Sequence, residues 1–113
     1  MGSVQPSLPQ ENNEPGEIMS AYIVFTREST HDAAELKTYS QQVGATLAGH
    51  PVTVLAAYGR QEVIEGPEVE GVVILEFPTF AEAKAWYDSA AYRKVREHRF
   101  RGADYRAVIV EGA

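Results

Sequence analysis

The order of elements along the chain predicts an α+β fold, β-α-β-β-α-β, with a four-stranded antiparallel sheet and both helices on one of its faces. Three observations carry this. Four runs rich in β-branched and aromatic residues recur along the chain. Two stretches with helical spacing lie between them, each opened by a capping-box pattern. The length of 113 residues suits one domain with a single modest core. This is the ferredoxin-like arrangement.

Each element follows from its residues. "AYIVFTR" (Ala21–Arg27) reads as the first strand. Asp32 then stands as an N-cap with Glu35 three residues on. Leu36, Tyr39, Val43 and Leu47 recur at helical spacing through Ala48, and Gly49 ends the run. "VTVLAAYG" (Val52–Gly59) is the second strand. "RQEVIEGPEVEG" reads as a strand edge and a turn, punctuated by Gly66 and Pro67. "VVILEF" (Val72–Phe77) is the third strand. Thr79 with Glu82 opens a helix bearing Phe80, Ala83, Trp86 and Tyr87. Asp88 or Ser89 caps a further segment carrying Tyr92, Val95 and Arg99, which Gly102 breaks. "YRAVIV" (Tyr105–Val110) is the last strand.

An antiparallel sheet with helices on one face should show a polar outer face. Here Val72, Val73, Ile74 and Leu75 are consecutive, as are Val108, Ile109 and Val110. Strands that do not alternate are usually buried on both faces. Two helices cover only one. The expectation is a homodimer, sheet packed on sheet.

Residues 1–20 contain three of the six prolines and little that could form a core, so a disordered tail is expected there, with the domain spanning 21–113. The tail lacks the basic start and apolar centre of a secretory signal. Met19 stands just before the first strand, so a start there weighs as much as a functional tail. Cysteine is absent, which removes disulfides, thiolate nucleophiles and cysteine-held metal clusters. That fits a cytoplasmic protein without fixing the compartment. No apolar run approaches the ~18 residues of a membrane span, so no membrane partner is expected. The net charge is −6, with no dominant basic face, which argues against nucleic-acid binding.

The chemistry-bearing residues concentrate in "KAWYDSAAYRKVREHRF" (Lys84–Phe100), which holds the only Trp and half of the ten basic residues. His98 is a candidate general acid or base. A partly exposed helix C-terminal His facing the dipole is the weightier reading, since a lone His lacks a positioned partner. Tyr92, Arg96 and Arg99 lie at i, i+4 and i+7, on one helix face. An Arg turned toward the sheet beside a Tyr makes a clamp for a carboxylate or phosphate. Arg99 is the preferred anchor and Arg96 the second, weighed against a structural ion pair. Trp86, Tyr39, Tyr105, Tyr22 and Tyr87 supply aromatic surface that serves either a core or a small-molecule cavity with polar handles. Tyr92 joins His98 as a candidate proton carrier. His50, between Gly49 and Pro51, is placed near a pocket mouth, whereas His31 is expected to be exposed. No His, Asp and Glu spacing matches a metal site, and no phosphate-binding loop or nucleophile elbow occurs, so neither metal nor cofactor is expected.

"VVILEFPTFAEAKAWYDSAAYRKV" followed by "ADYRAVIVEG", with Tyr39 and "EVIEG" (Glu62–Gly66), resembles the domain-of-unknown-function family 1330 of the dimeric α+β-barrel superfamily. Phe77-Pro78 through Trp86–Ser89 and Tyr92 is the most specific part, and the likeness spans Ala21 to Gly112. The resemblance implies a ferredoxin-like dimer. It implies no particular reaction, because the superfamily includes cofactor-free monooxygenases, muconolactone-isomerase-like enzymes, stress-response proteins and binding modules.

Two functions follow as expectations. One is a small-molecule-binding protein acting as a cofactor-independent isomerase, lyase or oxygenase on a small anionic or oxygenated metabolite. The other is a non-catalytic dimeric module for ligand binding or stress response.

Overall fold

The computed structural model describes residues 19–113. The expected tail falls outside the described residues except for Met19 and Ser20. In order, the elements are β1 (Ala21–Thr30), α1 (Ala33–Thr46), β2 (Thr53–Ala57), β3 (Gly71–Phe77), α2 (Phe80–Tyr87), α3 (Ala90–Gly102) and β4 (Ala103–Glu111). The strands pair antiparallel in the order β2-β3-β1-β4. This is the α+β, ferredoxin-like fold, with its second helix divided in two.

The division follows from the capping chemistry. Ser89 is the N-cap of α3, and its Oγ accepts from Tyr92 N at 3.2 Å. Asp88 caps the C-terminus of α2 and pairs with Lys84. Thr79 and Asp32 act as N-caps as expected, accepting from Glu82 N at 3.0 Å and from Ala34 N at 3.0 Å. The reciprocal half of the first capping box is absent. Glu35 turns to His98 instead, and Asp32 N donates to Gly102 O.

Several bounds differ from the sequence reading: β1 runs on to Thr30, β2 is trimmed to Thr53–Ala57, and β4 begins at Ala103 and reaches Glu111. α1 stops at Thr46, two residues early, with Leu47 as C-cap and Gly49 at φ +82 in the following turn. The segment "EVIEG" forms no strand. Gly66 takes φ +96, and Pro67 has no N–H to give a ladder.

The sheet's register separates two faces. Ala21, Ile23 and Phe25 of β1 and Leu75 and Phe77 of β3 are buried under the helices, with Ala83, Trp86 and Tyr92. The opposite face carries Val24 opposite Ile74 and Val108, and Tyr22 opposite Val110. Val108 and Val110 are 51% and 48% exposed. The apolar outer face is therefore present, and no described element covers it.

The two long helices meet through a close approach at Gly102. A Cβ there would lie 3.0 Å from both Leu36 N and Leu36 Cγ. Gly102 O also accepts from His31 N at 2.7 Å and Asp32 N at 3.0 Å, fixing the start of α1 against the end of α3. Gly102→Ala should lower unfolding stability by about 1–3 kcal/mol, the usual cost of overpacking, as read by chemical denaturation.

Candidate functional site

The helix-covered face of the sheet holds a partly open cavity of about 180 Å³. α1 contributes Tyr39, Val43 and, at its C-cap, Leu47, four residues apart on one stripe. Phe25, Val73 and Leu75 form the floor. Trp86 of α2 closes one wall, and Tyr58 and Tyr105 stand at another. The Trp86 indole N–H is already satisfied, donating to Thr46 Oγ1 at 3.1 Å.

Arg99 of α3 also lines this cavity, although it is only 3% exposed. Its Cζ lies 5.1 Å from the Phe25 ring centroid, 5.0 Å from that of Tyr105 and 5.1 Å from that of Phe100. Such contacts place the cation over the ring faces, where the aromatic quadrupole attracts it. Nε donates to the Tyr92 hydroxyl at 3.3 Å, and that hydroxyl lies 2.8 Å from the Tyr39 hydroxyl. Among the described residues Arg99 pairs with no carboxylate, and its two terminal nitrogens have no hydrogen-bond partner.

Burial pushes the Tyr39 phenol far above its ordinary range, and the neighbouring Tyr92 adds to this. Burial also raises Tyr92, with Arg99 opposing it. Tyr58 rises through burial and its bond to Tyr105. All three are neutral hydroxyls at neutral pH, able to donate a hydrogen bond.

Tyr58 is the one described non-glycine residue with positive φ, at +58. That backbone costs a side-chain-bearing residue ~1–2 kcal/mol. Four contacts hold it: its N–H to Val72 O at 2.9 Å, its hydroxyl 2.5 Å from that of Tyr105, Arg27 over its ring at 5.0 Å, and its ring against Gly71. A Cβ at position 71 would lie 2.4 Å from Tyr58 Cδ1, so only glycine fits. The sequence placed Tyr58 within an ordinary strand end. Nothing local marks it, because the glycine that admits it lies thirteen residues later in the chain.

A family model described as "Domain of unknown function (DUF1330)" matches residues 20–113. The chain belongs to the DUF1330 family. No curated protein matches it. Among solved structures it is similar to a protein of unknown function from Rhodopseudomonas palustris, at 16% identity and TM-score 0.68, covering 84% of this chain and 83% of that one. It is also similar to an antibiotic-biosynthesis-monooxygenase-like protein from Nitrosomonas europaea, at 14% identity and TM-score 0.53, covering 83% and 89%. Such likenesses establish the fold.

In this DUF1330 chain four of the residues singled out from sequence, Arg99, Trp86, Tyr39 and Tyr105, line one cavity. Tyr92 stands directly behind it, bonded to two of them. The others lie elsewhere. Arg96 stacks over the Tyr87 ring at 4.5 Å and donates to Tyr87 O at 3.2 Å. His50 sits in the turn after α1, its N–H donating to Leu47 O at 3.0 Å. Tyr22 is on the outer face of the sheet, beside Gly112. His98 points to α1, where Nδ1 lies 2.7 Å from Glu35 Oε1, and Arg101 Nε lies 3.4 Å from Glu35 Oε2. No group of three or more potential ligands that could hold a metal occurs among the described residues.

The His98 bond, with Arg101, holds the Glu35 carboxyl below its ordinary value. A lowered carboxylate pKa stabilises the fold above the unfolded value of 4.5, and that contribution disappears as pH falls through the lowered folded value. Wild type should therefore exceed Glu35→Gln in stability at pH 6. The gap should shrink below pH ~4.5, as measured by denaturation at a series of pH values.

Proposed function

We propose that this chain is a homodimeric small-molecule-binding protein whose ligand is compact and anionic and sits in the cavity against Arg99. One observation supports this above the rest: a buried guanidinium lines an apolar cavity with both terminal nitrogens unpartnered. Those nitrogens face the cavity space rather than packed protein, and a guanidinium drawn so far into an apolar surround without a counter-charge carries a desolvation cost. A ligand anion entering the cavity offsets that cost. The Tyr39–Tyr92 hydroxyl pair supports the same reading. With Arg99 Nε donating to Tyr92, the Tyr92 proton can go to Tyr39, which leaves the Tyr39 proton free to reach the cavity. His98, Arg96 and His50 take no part in this reading.

The dimer rests on the uncovered face around Val24, Ile74, Val108 and Val110, a continuous apolar surface that a second copy would bury. The absence of cysteine fits a cytoplasmic setting.

A second reading is a cofactor-independent enzyme of isomerase, lyase or oxygenase type. The Arg99–Tyr92–Tyr39 chain favours it, because a positioned phenol can deliver a proton to a ligand held by Arg99. Burial keeps the phenols protonated, so they would serve as acids rather than bases.

Trp86, the only tryptophan, lines the cavity and reports on it by fluorescence. Titration with a panel of small carboxylates should change its emission. Arg99→Met should weaken binding about 10- to 100-fold, the worth of a charged hydrogen bond. Unaltered affinity in a folded Arg99→Met would remove the anion site. Separately, light scattering should give twice the chain mass of 12.4 kDa, and Val108→Glu should return it to one copy. A wild-type monomer at micromolar concentration would sink the dimer.

A further inference from the structure

Resting on that reading, we propose that the ligand is a monocarboxylate with a body the size of a single ring, its carboxylate on the edge of the Arg99 guanidinium and its ring between Trp86 and the aliphatic end of α1.

Charge decides the head group. Among the described residues Arg99 is the only charged side chain lining the cavity. Arg27 and Arg96 are engaged outside the cavity: Arg27 binds Glu70 at 3.1 Å, and Arg96 stacks on Tyr87 and donates to its carbonyl at 3.2 Å, its Nε buried and unpartnered. A monoanion neutralises the site, whereas a dianionic phosphate ester would leave one buried negative charge unpaired. No Asp or Glu among the described residues lines the cavity, so an amino acid's ammonium would find no counter-charge there.

Geometry narrows the anion to a carboxylate. The Phe25, Tyr105 and Phe100 rings surround the guanidinium, and Tyr92 holds Nε. The two terminal nitrogens, which form one planar edge of the guanidinium, have no hydrogen-bond partner among the described residues. That edge offers two parallel N–H donors, which match the two oxygens of a carboxylate.

Volume and wall chemistry set the body. An apolar cavity of about 150 Å³ suffices for benzene. The 180 Å³ here holds a ring together with its head group. Away from Arg99 and the tyrosine hydroxyls the walls are Val43, Leu47, Val54, Leu75 and the Trp86 indole. Those walls give no partner to a sugar's hydroxyls, each of which would cost free energy if buried unbonded.

Four probes test this on the full chain by Trp86 fluorescence and calorimetry: benzoate, acetate, benzyl alcohol and phenyl phosphate. Benzoate should bind at least about tenfold tighter than each of the others, because it alone satisfies both charge and body. Leu47→Phe, which fills the apolar end and leaves Arg99 in place, should weaken benzoate more than acetate. Acetate or phenyl phosphate matching benzoate would overturn the ring monocarboxylate and leave the anion site standing. Benzoate binding that Leu47→Phe does not change would also overturn it, since the ring would then lie elsewhere. Benzyl alcohol matching benzoate, or no probe binding at all, would overturn the anion site as well.

Discussion

A guanidinium taken out of water with only a phenol hydroxyl as hydrogen-bond partner is the constraint around which this fold is arranged. Left in an aliphatic core, the Arg99 charge would not be tolerable. Three rings from β1, α3 and β4 surround it, and Tyr92 on its own helix takes Nε. The i, i+7 spacing of Tyr92 and Arg99 makes that bond available without distortion of α3. Tyr39 reaches the same hydroxyl from α1, so the packing of α1 on α3 and the environment of the charge are set together. The Gly102 approach and the His98–Glu35–Arg101 contacts fix that helix pair from its other end.

Much of the fold was legible in the sequence because it rests on local signals. Asp32, Thr79 and Ser89 are caps whose role follows from side-chain chemistry next to a helical pattern. The consecutive apolar residues of β3 and β4 correctly announced an apolar outer face. Two readings failed where local signals competed with tertiary ones. Glu35 suits a capping box, yet His98 lies close enough to draw it away. "EVIEG" has β-formers in it, but it has no neighbouring strand to pair with and ends at a glycine with positive φ.

The site was legible only in part. Helical periodicity puts Tyr92, Arg96 and Arg99 on one face, but 100° per residue spreads that face widely enough that Arg96 reaches Tyr87 while Arg99 turns to the sheet. Proximity in sequence also suggested His98 as a neighbour of Arg99. One residue along a helix is a large rotation, and it carries His98 to the side facing Glu35. Tyr58 was invisible because its position depends on a pairing between β2 and β3 that puts Gly71 beneath its ring.

Tyr58 has a bearing on how the protein could be improved or could drift. Glycine is at ease in the left-handed region that Tyr58 occupies, so on backbone grounds alone glycine suits this position better than tyrosine. Tyr58→Gly would delete a cavity wall, the partner of the Tyr105 hydroxyl and the ring beneath Arg27. At this one position, selection for a relaxed backbone and selection for a shaped interior pull in opposite directions.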